Sequence, residues 1–76
     1  MNKERRKAIE SCIEKINAVR DDLDNLKSEE EDYLDNMPDS FRNSDKGNMA
    51  DNAISNLEEA INQLEEAVSS AESALE

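Results

Sequence analysis

The chain holds 20 Asp and Glu side chains, one Cys and no His among 76 residues. With no histidine, the carboxylates and the one thiol are the first groups to test for chemistry. Glu58, Glu59, Glu65 and Glu66 form two carboxylate pairs, a residue type suited to acid–base work or to a metal. The pairs repeat after seven residues, which puts them on the flank and outer side of a helix. A di-metal bundle uses inward Glu residues with a Glu-x-x-His element, and the chain has no histidine, so these pairs read as a solvated face. The run Glu29-Glu30-Glu31-Asp32 with Asp35 has charge enough for calcium. An EF-hand loop needs alternating oxygen ligands around a central Gly, and this run is helical in pattern and has no Gly. Cys12 lies among apolar neighbours, where a thiol behaves as a small hydrophobe. There is no Gly-rich loop and no nucleophile–base pair, and a chain this short has little volume for a pocket. The expectation is a protein that is not an enzyme and takes no metal or cofactor.

The elements that carry these residues are legible from a seven-residue refrain. Ile54-Ser55-Asn56-Leu57-Glu58-Glu59-Ala60 is followed by Ile61-Asn62-Gln63-Leu64-Glu65-Glu66-Ala67, then by a decayed copy starting at Val68. Apolar residues at the first and fourth positions (a and d) make a coiled-coil heptad. Ile54, Ile61, Val68 and Leu75 form the a row, and Ala50, Leu57, Leu64 and Ala71 the d row. Ala53, Ala60, Ala67 and Ala74 add a third row of small residues. In the first half Ile9, Ile16, Leu23, Glu30 and Met37 are seven apart, and Cys12, Val19, Leu26 and Tyr33 form the second row. Ile13 and Leu34 lie one step beyond that second row and widen the stripe.

These rows predict an all-α fold in a single domain, residues 1–76. The first helix runs from about residue 2 to 36. Pro38 stops it, because it has no amide donor and biases Met37 away from helical angles. Residues 37–43 make a connection with room for one short helical turn. The second helix runs from about 44 to 75, with Ser44 as N-cap and Asp45 near the positive end of the dipole, and Gly47 a mild weakness in its first turn. Equal lengths and a short connection imply an antiparallel hairpin. Lys3, Arg5, Arg6 and Lys7 would then lie beside Glu66, Glu72 and Glu76, fixing orientation more than adding stability. The predicted seam comprises Ile9, Cys12, Ile16, Val19, Leu23 and Leu26 against Ile54, Leu57, Ile61, Leu64 and Val68. One two-helix seam buries these only partly, and Ile13, Leu34 and the alanine row would stay wet. The expectation is a homodimer of hairpins forming a four-helix bundle.

A formal charge of −11 argues against direct nucleic-acid binding, which needs clustered Lys and Arg. It permits solubility, a basic partner, or imitation of a DNA phosphate array. No stretch approaches the roughly 18 apolar residues of a membrane span, so no membrane role is expected. The basic start lacks an apolar segment behind it and does not read as a secretory signal. A single cysteine fits a reducing cytoplasm.

The hairpin tip holds residues that a bare coiled coil does not need: Tyr33, Met37, Pro38, Phe41 and Arg42. They suit either a small core that staples the turn or an exposed epitope, since aromatic and Met side chains anchor interfaces. The pattern Tyr33-Leu34-Asp35-Asn36-Met37-Pro38-Asp39-Ser40-Phe41, then Ser44-Asp45-Lys46-Gly47, then Asn56-Leu57-Glu58-Glu59-Ala60, resembles small acidic helical-hairpin proteins of bacteriophages and prophages. The basic start, Lys3 to Lys7, belongs to the same pattern. The resemblance implies a genomic setting and a bacterial host cytoplasm, not a mechanism. Small phage proteins without catalytic residues often bind a host protein, defence nucleases included. The reading is a non-enzymatic protein–protein interaction module with an unidentified protein partner, a binder or inhibitor of a host defence protein. A structural element of a larger complex and an acidic DNA mimic are the alternatives.

Overall fold

The computed structural model describes all residues, Met1–Glu76. It is all-helical: α1 (Lys3–Asp35), α2 (Asp39–Arg42) and α3 (Asp45–Ser73). The caps explain the boundaries. The Asn2 side-chain oxygen accepts from the Arg5 amide at 2.7 Å, satisfying one of the free donors of the first turn. At the other end of α1 the Asn36 backbone N–H donates to the Asp32 carbonyl at 3.0 Å and its side-chain amide donates there at 2.9 Å. Pro38 then opens α2, its carbonyl accepting from the Phe41 and Arg42 amides at 2.9 and 3.0 Å. A proline suits this place, where no amide donor is called for. Ser44 is the N-cap of α3 but makes no side-chain cap bond. Its hydroxyl turns back and donates to the Phe41 carbonyl, so it ties α2 to α3.

α1 and α3 pack side by side in an antiparallel hairpin with extents of 59 × 15 × 12 Å. Its radius of gyration is 17.3 Å, against about 11 Å for a compact domain of this length. A rod buries little. Only Gly47, Ala50, Ile61 and Val68 are buried, all on α3, and α1 has no buried residue.

The seam differs from the expected one on the α1 side. The a row Ile9, Ile16, Leu23, Glu30 and Met37 faces α3 and is half-buried. Its companion is not Cys12, Val19, Leu26 and Tyr33. All four are exposed, Val19 at 50%, Leu26 at 53% and Tyr33 at 52%. The half-buried companions are Ile13, Arg20, Lys27 and Leu34. Each helical residue turns about 100°, so the row four beyond a lies to one side of it and the row three beyond lies to the other. α3 has settled on the former side. Arg20 and Lys27 are half-buried there, a place long charged side chains tolerate because their aliphatic stems can cover apolar surface while the charge stays in water. On α3 the expected rows hold, with Ile61 and Val68 buried and Ile54, Leu57 and Leu64 half-buried.

The basic start also pairs differently from expectation. Arg6 donates to the Leu75 carbonyl, so it meets the negative end of the α3 dipole and not a carboxylate. The ion pairs are Arg20–Asp21 at 3.1 Å and Arg42–Asp35 at 3.2 Å. Neither involves Glu66, Glu72 or Glu76.

Candidate interaction surfaces

Three surfaces result, because the seam uses two of the three apolar rows of α1. The first is a lengthwise apolar face. The row Cys12, Val19, Leu26 and Tyr33 stands on one flank of α1. The alanine row of α3 stands beside it, with Ala53 and Ala60 half-buried and Ala67 and Ala74 exposed. The two rows meet at an open groove of about 410 Å³ near the tip, lined by Glu30, Tyr33, Lys46, Met49, Ala50 and Ala53. Met49, 70% exposed, stands on its outer edge. Between Met49 and Ala74 this flank of α3 continues through Asn56, Gln63 and Ser70, with no charged side chain.

The second surface is the opposite face. A smaller cleft there, about 230 Å³, is lined by Arg20, Asp21, Asp24, Ile61 and Glu65. The flanking rows are Glu10, Asp24 and Glu31 on α1 and Asp51, Glu58, Glu65 and Glu72 on α3, all exposed. The heptad explains the segregation. The α3 carboxylates from Asp51 to Glu72 occupy only the two rows that turn away from the alanine row. No three acidic side chains converge in a way that could hold a metal ion, either here or in the run 29–35.

The third surface is the tip. Tyr33 and Phe41 do not form a shared core there. Tyr33 belongs to the apolar face, whereas Phe41 projects from α2, 50% exposed, with the Lys46 ammonium 5.8 Å from its ring centroid. That distance is within cation–π range. Met37 is half-buried, and Pro38 and Arg42 are exposed. Gly47 holds this arrangement together. It is buried against α2, and a Cβ there would stand 2.8 Å from the Arg42 Cα and closer still to the Arg42 carbonyl. Sequence reasoning read Gly47 as a weakness of the second helix. It is instead the point where two backbones touch, and nothing local in the sequence signals that.

No known protein family, curated protein or solved structure matches the chain. No helix is long and apolar enough to cross a membrane. The class defined by fold and surface is therefore an all-α helical hairpin with one apolar face, one acidic face and a braced aromatic tip.

Proposed function

We propose that the chain is a non-enzymatic protein–protein interaction module. It self-associates into a four-helix bundle and engages a different protein through its tip. The observation that carries the reading is Phe41. A half-exposed aromatic ring on a short helix, held against α3 through Gly47, is organised for contact before any partner arrives. Side chains fixed in advance lose less freedom on binding, and aromatic anchors dominate interface energetics. Met37, Pro38 and Arg42 are the neighbours of Phe41 in the connection, Lys46 stands over its ring at 5.8 Å, and the rest of the tip half is strongly acidic. The resemblance to phage and prophage hairpins suggests that the partner is a host protein, with defence proteins the first class to examine.

The test is affinity capture from host extract with the wild-type chain and with Phe41→Ala. Because Phe41 is not in the seam, the variant should melt within a few degrees of wild type. A protein retained by wild type and lost by Phe41→Ala carries the reading. Equal retention by both chains rejects the tip.

A second reading is favoured by the segregation of carboxylates onto one face. Two parallel acidic rows on a rod have the form of a phosphate array, and such a surface would occupy a DNA-binding cleft. Binding of that kind weakens steeply with salt and competes with DNA. Capture that survives 0.5 M salt would dismiss it.

A further inference from the structure

We propose that the second copy covers the face carrying Cys12, Val19, Leu26 and Tyr33 together with the alanine row, and that the two hairpins run in opposite directions with their tips at opposite ends. This rests on the self-association proposed above and adds its surface and its orientation.

Area is the first argument. The hairpin exposes 5648 Å². A compact monomer of 8.6 kDa would expose about 4,700 Å². The excess is about 950 Å², of the order of the roughly 800 Å² per partner that a standard interface removes. The excess comes from the rod shape, and one second copy on one face would remove an area of that size.

The choice of face follows from symmetry. In a two-fold dimer the same patch serves both subunits. An interface through the opposite face would set Glu58, Glu65 and Asp24 against their own copies, and like charges in an interface are strongly disfavoured. The apolar face has less of this conflict: its α3 side carries no carboxylate between Met49 and Ala74, and the row that borders it on α1 mixes Ala8 and Lys15 with Asp22 and Glu29.

Orientation is decided by charge along the rod. The base half, residues 1–20 and 62–76, has six Lys and Arg against seven Asp and Glu, a formal −1. The tip half, residues 21–61, has three against thirteen, a formal −10. Parallel hairpins would lay the two −10 halves side by side, about 10 Å apart. The Debye length at physiological salt is about 8 Å, so this repulsion is only partly screened. Opposed hairpins lay each −10 half along a −1 half and bring Lys3, Arg5 and Lys7 of one copy towards the acidic tip of the other. Parallel hairpins would place the larger α1 side chains over the alanine row, a packing advantage, but the opposed arrangement has a matching one. With the two-fold axis midway along the stripe, Cys12 faces Tyr33 of the second copy and Val19 faces Leu26, small against large, while the alanine rows meet and let the two α3 axes approach closely.

The experiment combines native mass with one distance. Cys12→Ala with Asn43→Cys puts a single spin label on the exposed tip. Opposed hairpins separate the two labels by about 50 Å, from some 17 residues on each side of the axis at 1.5 Å each. Parallel hairpins bring them within about 25 Å, two helix layers apart. A mass of two chains with the long distance is the expected result. A mass of two chains with the short distance overturns the orientation and leaves self-association standing. A mass of one chain at tens of micromolar overturns both. The face is tested separately. Leu26→Glu and Ala60→Glu should each reduce the mass to one chain with helicity retained, and Glu65→Lys should leave it at two. If both Glu variants remain dimeric, the second copy sits elsewhere.

Discussion

Gly47 shows how much one side chain can decide in a molecule with four buried residues. Adding a methyl group at this position drives it into the Arg42 backbone, which is not a flexible side chain that can move aside. Either α2 lifts from α3 or the first turn of α3 shifts. Helix propensity alone favours Ala over Gly by about 1 kcal/mol, so a stabilised variant is the expectation from sequence. The contact reverses that sign. Overpacking of this kind costs about 1–3 kcal/mol, and each kcal/mol moves the melting temperature of a domain this size by about 4–8 °C. Gly47→Ala should therefore melt at least several degrees below wild type at equal protein concentration. A higher melting temperature would mean that α2 is not held where the structure places it. The same variant should weaken capture through Phe41, because the ring loses its brace.

At the scale of elements, the helices are held at their ends by single side chains. α1 begins on the Asn2 cap, and α3 ends with Arg6 of the other helix donating to the Leu75 carbonyl. The second contact joins the base of the hairpin and places a cation at the negative end of a 29-residue helix. Its loss should act locally, since Arg6 supports no part of the tip. In Arg6→Ala the amides of the last two turns of α3 should exchange hydrogen several-fold faster, with exchange near Leu57 unchanged. Uniform acceleration along α3 would show that the contact matters to the whole hairpin and not to its end. The seam explains why fraying is the expected failure. It is continuous through Ile61 and Val68 but has Glu30, Arg20 and Lys27 on its α1 side, so cohesion is uneven along the rod.

For the whole molecule, the decisive property is that a two-helix rod covers one side of each helix and no more. The uncovered apolar face makes Cys12 a natural reporter, since it is exposed in the hairpin and lies on the surface assigned to the second copy. Reaction of the thiol with a disulfide reagent should slow as protein concentration rises through the dimer dissociation constant, in proportion to the remaining monomer. A rate independent of concentration, in a sample shown by light scattering to contain two chains, would place the interface on another face. With the apolar faces joined as proposed, the acidic face would be the outer surface of the bundle in either orientation, free to act on other molecules. The two tips, at opposite ends, would give the dimer two identical Phe41 sites with a fixed separation, the geometry that lets a bivalent protein bridge or grip a symmetric target.

Much of this was present in the order of residues. The refrain from Ile54 to Ala67, the unbroken helix formers before Asn36 and the stop at Pro38 determined two long helices, their boundaries to within about two residues, and their antiparallel return. Local geometry suffices for such features, because periodicity, capping and a missing amide act within a few residues of one another. The a row of α1 was equally legible. Which row stood beside it was not. Cys12, Val19, Leu26 and Tyr33 on one side and Ile13 and Leu34 on the other make a stripe wider than one partner helix can cover, and the heptad pattern is satisfied either way. The choice belongs to the path of the chain through the tip, where α2 turns and Gly47 meets the Arg42 backbone before α3 descends along Ile13 and Leu34. Only the tertiary structure could decide it, since the residues that settle the matter at Ile13 and Leu34 lie on another helix and at the far end of a turn.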